Sequence, residues 1–350
     1  MALALALHRQ GVAAEIFDAR RRGAAGGDRR ILALSHGSRL ILESLGAWRD
    51  IPHTAIAAID VSQQGGLGRT RIAAREENVP ALGYVLAAGA LAASLDAALA
   101  QAGIAFRDNT RVEADDKPDA PLVVWAEGAV DAPDAVVRDY GQHAVICTAT
   151  LSEPHGGTAW ERFTLRGPVA VLPYGEAAGT AVAVVLTCAT EEAEATAALD
   201  DRAFLALLQE RFGRRLAFTA ATARHVFPLG LRYRRDPVGA REVWIGNAAQ
   251  TLHPVGGQGF NLALRDIFEL ARCLADAADP GAPATLARYA ASRSTDRRAA
   301  IGFTDALVRV FSNNGPLLRH ARGAGLLALD LVPPLRSFLA RRMMFGARAW

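Results

Sequence analysis

The chain has 350 residues, of which 51% are hydrophobic and 21% charged, and its formal net charge is +3 at pH 7. That composition excludes an intrinsically disordered protein, and the length allows one large domain or two interleaved ones. Residues 315–350 carry six arginines and one acid, which leaves the rest of the chain slightly acidic and argues against a nucleic-acid surface.

The cysteines and the first residues bear on localisation. Cys147, Cys188 and Cys273 are far apart, so they indicate neither a disulfide framework nor a metal site, and they suit a reducing cytoplasm. The apolar start, Met1–Leu7, lacks the basic region and the cleavage site of a signal peptide. No apolar run approaches the roughly 18 residues of a membrane span. We therefore expect a cytoplasmic protein without a metal centre.

The first 18 residues predict part of a nucleotide-binding unit. Ala2–Gln10 has the pattern of a helix that Gly11 ends, and Val12–Asp18 that of a strand with an acid at its end. Such a sequence forms the second half of a dinucleotide-binding βαβ unit, in which the acid bonds the ribose hydroxyls. Asp18 is the candidate for that role, and a solvated carboxylate is the alternative. The first strand and the G-x-G-x-x-G turn are absent from the sequence, and we expect them to precede Met1.

The next stretch alternates between strand and helix patterns. Residues 56–63 and 70–73 predict strands around a glycine-rich turn. Leu82–Gln101 has apolar residues at helical spacing and predicts one long helix. Pro121–Gly128 is an apolar run that ends in acid–glycine, and it predicts a buried parallel strand.

A sheet is expected in the middle of the chain. From Arg138 to Tyr233 a period of two, with turn residues between the runs, predicts an antiparallel sheet. A helix over residues 191–213 interrupts it. His143 and His155 lie in this region as candidate acid–base groups, with a structural role as the favoured alternative.

The rest of the chain is organised around residues 243–262. An apolar run, Val243–Ile245, predicts a short buried strand, a glycine-rich loop follows, and Phe260–Asp266 opens a helix. Glycines in the loop let backbone approach a ligand without a Cβ in the way. The free N–H groups at the start of the helix favour an anionic or carbonyl-rich ligand. Beyond it, proline-separated helices are predicted to Met344.

This stretch resembles the second flavin-binding motif of the class A FAD-dependent aromatic hydroxylases, in which Gly-Asp-Ala-Ala-His precedes Pro, Gly-Gln-Gly and Asn. Asn247 and Gln250 stand where many members have Asp and His, and the form Gly-Asn-Ala-Ala-Gln-Thr-Leu-His-Pro is similar to the ubiquinone-biosynthesis branch. The resemblance implies an α/β (α+β) fold with three parts: a Rossmann-like FAD-binding domain (1–138 with 226–298), an interleaved antiparallel-sheet substrate domain (139–225), and C-terminal helices (299–350).

The same resemblance implies a set of site residues. Arg30 would contact the flavin diphosphate or ribityl chain, and Glu127 stands in a weakened copy of the family's Asp-Gly motif. His253 and Pro254 would lie over the isoalloxazine as the catalytic pair, with His253 either steering the phenol proton or bracing the loop. The implied FAD ligands are Asp18, Arg30, Glu127, Gly246, Asn247, Pro254, Gly256, Gly257, Gln258, Gly259, Phe260, Asn261 and Leu262.

The implied activity is a monooxygenase reaction in ubiquinone biosynthesis. FAD is reduced by NAD(P)H, and one oxygen atom of O₂ passes to the ring of a polyprenylated phenol. A flavin reductase or dehydrogenase of the same fold is one alternative. A truncated, non-catalytic chain is another, because without the pyrophosphate loop the chain as written is expected to bind FAD poorly.

The C-terminal segment suggests a partner. Residues 315–350 combine apolar side chains with a local charge of +5 on short helices. These are the ingredients of interfacial binding to anionic lipid, so we expect peripheral contact with the inner face of the membrane or with a ubiquinone-synthesis complex. The alternative is that the apolar residues pack on the core while the arginines stay solvated.

Overall fold

The computed structural model describes residues 1–66, 68–126, 128–311 and 316–348. The helices are α1 (Ala2–Arg9), α2 (His36–Ser44), α3 (Ala88–Gln101), α4 (Ala193–Ala197), α5 (Asp201–Phe212), α6 (Gln258–Ala275), α7 (Pro283–Phe311), α8 (Pro316–Leu331) and α9 (Pro333–Phe345). The strands are β1 (Glu15–Phe17), β2 (Ile31–Ser35), β3 (Thr54–Ile56), β4 (Ala58–Gln63), β5 (Arg69–Ala73), β6 (Gly83–Ala87), β7 (Ala105–Arg107), β8 (Val123–Trp125), β9 (Val136–Leu151), β10 (Thr158–Thr164), β11 (Gly167–Pro173), β12 (Ala181–Ala189), β13 (Phe218–Ala221), β14 (His225–Tyr233), β15 (Val238–Gly239), β16 (Glu242–Trp244) and β17 (Gln250–Thr251).

The largest sheet confirms the predicted antiparallel layer. Its strand order is β17-β14-β9-β12-β11-β10-β4-β5, and β13 pairs with β9. All described pairings in it are antiparallel except β10 with β4. The period-two pattern arises because one face packs against α5 and a cluster of Val, Leu and Phe side chains, while the other faces a cavity. Strands from residues 58–73 and 225–251 complete this sheet.

Smaller sheets carry the nucleotide-fold elements. Strand β1 pairs with β7 in parallel, and β8 pairs with β16 in parallel, in a separate sheet that β15 extends. Helices α1, α3 and α6 pack around one apolar cluster with these strands, and every residue from Ala2 to Leu7 is buried. The apolar run at the start of the chain is therefore a core helix.

Three predicted helices differ from the structure. Leu82–Gln101 is not one helix, because its first residues form β6, the central strand between β2 and β3. A fully apolar run has no periodicity that distinguishes a strand from a helix. These residues form a strand because β2 and β3 pair with both of its edges. Residues 191–213 are split before α5, where the Asp200 carboxylate accepts a hydrogen bond from the Ala203 N–H at 2.8 Å and caps a new helix. Conversely, α7 runs from Pro283 to Phe311 without a break, across the boundary predicted between residues 298 and 299.

A buried ion network ties α6 to α7 and so positions the loop that precedes α6. The Arg293 guanidinium donates to Asp266 and to Asp296, each at 2.6 Å, and Arg265 donates to Asp296 at 2.8 Å. Burial opposes ionisation of Asp296, but the two arginines hold its pKa below the usual range. Removing one member would leave an uncompensated charge in the core, so the network fixes the helix pair.

Candidate active site

A cavity of about 810 Å³ lies between the large sheet and the loop that follows β17. Two of its sides form the sheet wall and the loop wall. The sheet wall consists of the cavity-facing residues of β4, β5, β10, β11 and β12, and the loop wall consists of residues 252–261. Strand β2 and helices α7, α8 and α9 contribute most of the remaining lining. Most lining side chains are apolar; the described polar ones are Ser35, Thr70, Glu161, Thr187, His253, Gln258, Asn261 and Arg322.

The loop wall presents backbone to the cavity because its glycines adopt conformations that other residues avoid. Gly256 has φ +72° and Gly257 has φ +62°, both in the left-handed region. A Cβ added at Gly257 would have only Ala33 atoms within 4 Å, at 3.8 Å, and one at Gly259 would have none. Among the described residues no side chain caps the N terminus of α6. A flat group can therefore lie against this backbone, close to the start of a helix.

Asn261 holds the loop wall in place. Its Oδ1 accepts hydrogen bonds from the Ser35 N–H at 2.8 Å and the Ser38 hydroxyl at 2.7 Å. Its Nδ2 donates to the Gly257 carbonyl at 2.6 Å and the Ala33 carbonyl at 3.2 Å. The amide is 3% exposed and fully engaged with protein, so it joins β2, α2 and the glycine loop.

His253 is completely buried at the start of the loop wall. Its Nδ1 accepts a hydrogen bond from the Val255 N–H at 3.2 Å, which places the ring proton on Nε2. Burial lowers its pKa to about 4, so the ring is neutral at physiological pH. Tyr140 contacts the ring edge-on, with centroids 5.9 Å apart. This arrangement favours the loop-brace alternative for His253.

The structure brings one group of the predicted site residues together. The residues that line the cavity are His253, Pro254, Gly256, Gly257, Gln258, Gly259, Phe260 and Asn261. Pro254 and Phe260 are exposed, whereas the Gln258 amide is buried and donates to the Gly256 carbonyl at 3.1 Å. These residues are contiguous because one loop and the first turn of α6 carry them all.

The other predicted cofactor ligands lie outside that lining. Asp18 accepts hydrogen bonds from Arg20, and Arg30 pairs its guanidinium with the Asp28 carboxylate at 2.6 Å. That pairing lowers the pKa of Asp28. Leu262 follows Asn261 on α6 but lies on another face of the helix, where it packs in an apolar cluster with residues of α7.

The remaining predicted FAD ligands are Gly246, Asn247 and Glu127. Gly246 and Asn247 follow β16 at the end of its pairing with β8, and Asn247 is exposed. Glu127 lies outside the described residues.

The two candidate acid–base histidines of the sheet have structural partners. His155 is 2% exposed; its Nδ1 accepts the Gly157 N–H at 3.1 Å, and its Nε2 lies 3.1 Å from the Glu176 carbonyl. His143 Nδ1 lies 3.1 Å from the Thr190 hydroxyl. Neither lines the cavity, so both serve turns and sheet edges in this structure.

Sequence reasoning missed Glu161, an ionisable side chain of the sheet wall. It lies on β10 between Ala159 and Phe163, and all three line the cavity. Burial raises its pKa to about 7. The available signal was an acid at an inward position of a strand with period-two alternation, but the face of β10 that would meet a cavity was not evident from sequence.

The C-terminal helices both close the cavity and present apolar surface. Leu326, Leu329, Leu339, Ala340 and Met343 line the cavity from α8 and α9. We call the exposed apolar side chains of these two helices and of the bend between them the apolar elbow: Leu327, Leu331, Val332, Leu335 and Phe338. No single described helix is long and apolar enough to cross a membrane, although Arg322–Leu331 with Pro333–Phe345, bent by 101°, passes on length and composition.

The arginines of this segment are less free than the sequence suggested. Arg322 is 6% exposed and donates to the Val310 carbonyl at 2.8 Å. Arg336 lies 3.3 Å from Glu76, and Arg341 lies 3.4 Å from Glu77. Acids from another part of the chain therefore compensate part of the local +5 charge.

Comparison with known proteins agrees with this geometry. The FAD binding domain family matches residues 129–304. The ubiquinone hydroxylase UbiL of Rhodospirillum rubrum is 32% identical over an alignment covering 98% of this chain and 86% of the relative. The mitochondrial ubiquinone biosynthesis monooxygenase COQ6 of Homo sapiens is 26% identical, covering 88% of this chain and 80% of the relative.

Solved structures share the fold at lower identity. Pseudomonas aeruginosa PqsL, solved with 2-aminobenzoylacetate, superposes with a TM-score of 0.73 at 22% identity, covering 93% of this chain and 95% of PqsL. The family match spans half of the chain, and the Rhodospirillum rubrum relative aligns with nearly all of it. The chain therefore belongs to the class A FAD-dependent hydroxylases, in the branch of the ubiquinone-biosynthesis enzymes.

Proposed function

We propose that this FAD-dependent monooxygenase hydroxylates the ring of a polyprenylated phenol in ubiquinone biosynthesis, with NAD(P)H as reductant and O₂ as oxygen donor. The observation that carries the proposal is the cavity itself. It has glycine backbone on one wall and apolar side chains on the other, and its volume of about 810 Å³ suits a ring with part of an isoprenoid tail.

The residues present fit the flavin end of FAD. The space beside Gly257 and Gly259 is open, and the left-handed backbone at Gly256 and Gly257 keeps side chains out of it. The uncapped start of α6 offers N–H groups to a carbonyl-rich ring edge. Bound FAD supplies the electron transfer and the activation of O₂. In this proposal Gly256, Gly257, Gly259 and the first turn of α6 hold its ring system.

The chain's own residues supply binding, orientation and exclusion of water. The sheet wall and the inner faces of α8 and α9 are apolar, so a phenol bound there displaces water from the reaction site. Asn261 keeps the glycine loop at a fixed distance from β2 through four hydrogen bonds. The substrate ring would lie between the two walls, with its tail directed along the apolar lining.

Product analysis tests the reaction. Purified protein loaded with FAD should consume O₂ and NAD(P)H and convert a short-chain prenylated phenol to a product one oxygen atom heavier. Bleaching of the flavin absorbance by NADH or NADPH without oxygen identifies the reductant. A reductase or dehydrogenase would bleach the flavin and leave the phenol unchanged, which would overturn the hydroxylase assignment.

We also propose that the apolar elbow docks the enzyme on the inner face of the membrane. A polyprenylated phenol partitions into lipid, and the helices that line the cavity expose the elbow on their other side. We expect insertion of the apolar side chains to contribute more to membrane binding than attraction between arginines and anionic lipid, because Arg336 and Arg341 are paired with acids. The elbow thereby connects a lipid surface with the cavity.

Vesicle flotation tests this proposal. The double variant Leu331→Ser and Phe338→Ser should reduce binding to vesicles at least tenfold, with a smaller dependence on anionic lipid than six free arginines would give. Leu165→Ser is the control, because Leu165 is also an exposed apolar side chain, 52% against 68% for Leu331 and 61% for Phe338, on another part of the molecule. Equal flotation of both variants and the wild type would place lipid access elsewhere.

A further inference from the structure

Glu161 occupies an unusual place in the sheet wall. In register beside it lie Val61 on β4 and Ala170 on β11, and the next strands contribute Thr70 and Val185 to the same row. A carboxyl group therefore stands in the middle of an otherwise uncharged row, on the face that borders the cavity. Period-two alternation keeps it there, because a strand residue cannot turn to the opposite face without a shift in register.

The carboxyl group has no protein partner within the part of the chain that the structure describes. Burial alone raises its pKa to about 7. The described cavity lining contributes His253 from the loop wall and Arg322 from α8 as its other titratable or charged side chains, and Arg322 donates to the Val310 carbonyl. An unpartnered carboxyl group in an apolar setting destabilises a protein, so a ligand that satisfies it is the natural reason for its presence.

We propose that Glu161 is the group that binds the ring hydroxyl of the phenol and takes up its proton, an assignment that rests on the proposed function. The hydroxyl O–H bond breaks, the oxygen keeps the electron pair, and the proton moves to a carboxylate oxygen of Glu161. When the hydroxylated ring carbon gives up its proton to the second oxygen atom of O₂, which leaves as water, the C–H electron pair restores the aromatic ring and the proton on Glu161 returns to the same ring oxygen. The proton transfer itself oxidises or reduces nothing.

Glu161 suits this role better than His253 does. His253 accepts the Val255 N–H on Nδ1, so its Nε2 already carries a proton and cannot receive another without an energetically costly buried charge. The Glu161 carboxyl is half-buried and borders open cavity space. A phenol has a pKa near 10, and a carboxylate whose pKa is raised toward that value is a stronger proton acceptor than an ordinary one. Removing the phenol proton raises the electron density of the ring.

Catalysis by Glu161→Gln tests the proton transfer. The variant should keep its flavin content and its rate of flavin reduction by NAD(P)H, while the kcat for hydroxylation falls about 100-fold. In the wild type, kcat/KM should rise with pH through about 7 as the carboxyl ionises, and the variant should lose this dependence. Glu161→Asp, which keeps a carboxylate, should retain the pH dependence. Hydroxylation within threefold of wild type and an unchanged pH profile in Glu161→Gln would overturn the proposal.

Binding separates this proposal from the hydroxylase assignment. Affinities of a short-chain prenylated phenol and of its methyl ether are measured at pH 8 for the wild type and for Glu161→Leu. The wild type should prefer the phenol about tenfold, and the variant should bind both alike, since the ether has no proton to donate. Equal affinities in the wild type would overturn the role of Glu161, whatever the reaction. A tenfold preference without any hydroxylated product would instead overturn the proposed function and retain the hydroxyl-binding role.

Discussion

The two walls of the cavity satisfy their polar groups in opposite ways. The side-chain amide of Asn261 on the loop wall bonds only to protein, and His253 uses Nδ1 to hold the Val255 N–H. On the sheet wall the Glu161 carboxyl has no partner among the described residues. The loop wall therefore presents shape, backbone and hydrogen-bond donors, since His253 Nε2 and the N–H groups at the start of α6 have no side-chain partner among the described residues, whereas the unpaired carboxyl group of the sheet wall can accept a hydrogen bond or a proton. We infer that the loop wall positions the cofactor and the sheet wall selects the substrate.

The largest expected effect comes from filling the loop wall. Gly257→Val places a branched side chain beside Ala33 on a backbone with φ +62°, at a conformational cost of roughly 1–2 kcal/mol, and in the space proposed for the flavin. After incubation with excess FAD, flavin per chain, measured from the absorbance spectrum, should be at background in the variant and above it in the wild type. Gly302→Ala on α7 is the control, since a Cβ there meets no atom within 4 Å. Retained flavin and hydroxylation in Gly257→Val would remove the loop wall from the cofactor site.

The second prediction concerns the brace of the loop wall. Asn261→Ala leaves the Ser35 N–H and the Gly257 carbonyl without their buried partner, so the free energy of unfolding should fall by about 3 kcal/mol. Urea denaturation measures the change. Asn247→Ala, at an exposed position of the same stretch, should alter stability by no more than about 0.5 kcal/mol. Equal losses in the two variants would show that Asn261 is not a special brace.

The third prediction uses pH to distinguish the walls. Burial raises the pKa of Glu161 to about 7 from its ordinary value of 4.5, so the folded state resists an ionisation that the unfolded chain undergoes. The resulting stability is present below pH 4.5 and is lost as pH rises through 7. Glu161→Leu removes this loss. Its stability relative to wild type should therefore increase by about 2 kcal/mol between pH 5 and pH 8, a value reduced for solvent that enters the cavity.

The pH experiment carries its own control. Burial lowers the pKa of His253 to about 4, which weakens the fold as pH falls from about 6.5 to 4, the opposite direction. This contribution is common to wild type and Glu161→Leu, so it cancels in their difference. A difference in unfolding free energy that does not vary with pH would mean that Glu161 is not a destabilised carboxyl group.

The smallest predicted effect comes from a substitution that narrows the cavity at the sheet wall and leaves the loop wall unchanged. Ala170 is the register partner of Glu161 on β11, and Ala170→Phe fills part of the space assigned to the ring. The kcat/KM for hydroxylation should fall about tenfold, or roughly 1.4 kcal/mol, while flavin content stays at the wild-type level. Ala170→Ser, with a small side chain, should behave like wild type. Loss of flavin in Ala170→Phe would contradict the division between the walls.

Local pattern was sufficient for much of this protein. The glycine-rich stretch 246–262 identified the loop wall, because left-handed backbone and close approach require glycine at fixed spacing whatever surrounds them. The period-two runs after residue 138 likewise predicted the sheet, since half-buried strands must alternate. The family resemblance rested on these same short-range features, and comparison with known proteins confirmed it.

Packing between distant segments decided the rest. Residues 83–87 form a strand because β2 and β3 pair with both of its edges, and an apolar run by itself does not show that such partners exist. Arg336 and Arg341 pair with acids that lie some 260 residues earlier in the chain, so the surface of the C-terminal segment is less basic than its own sequence predicts. Glu161 acquired its setting only when β4 and β11 aligned beside it and α8 and α9 closed the cavity. Sequence by itself determined which segments alternate and where backbone turns; tertiary structure decided which face meets solvent, core or ligand, because burial is a property of neighbours that sequence does not place side by side.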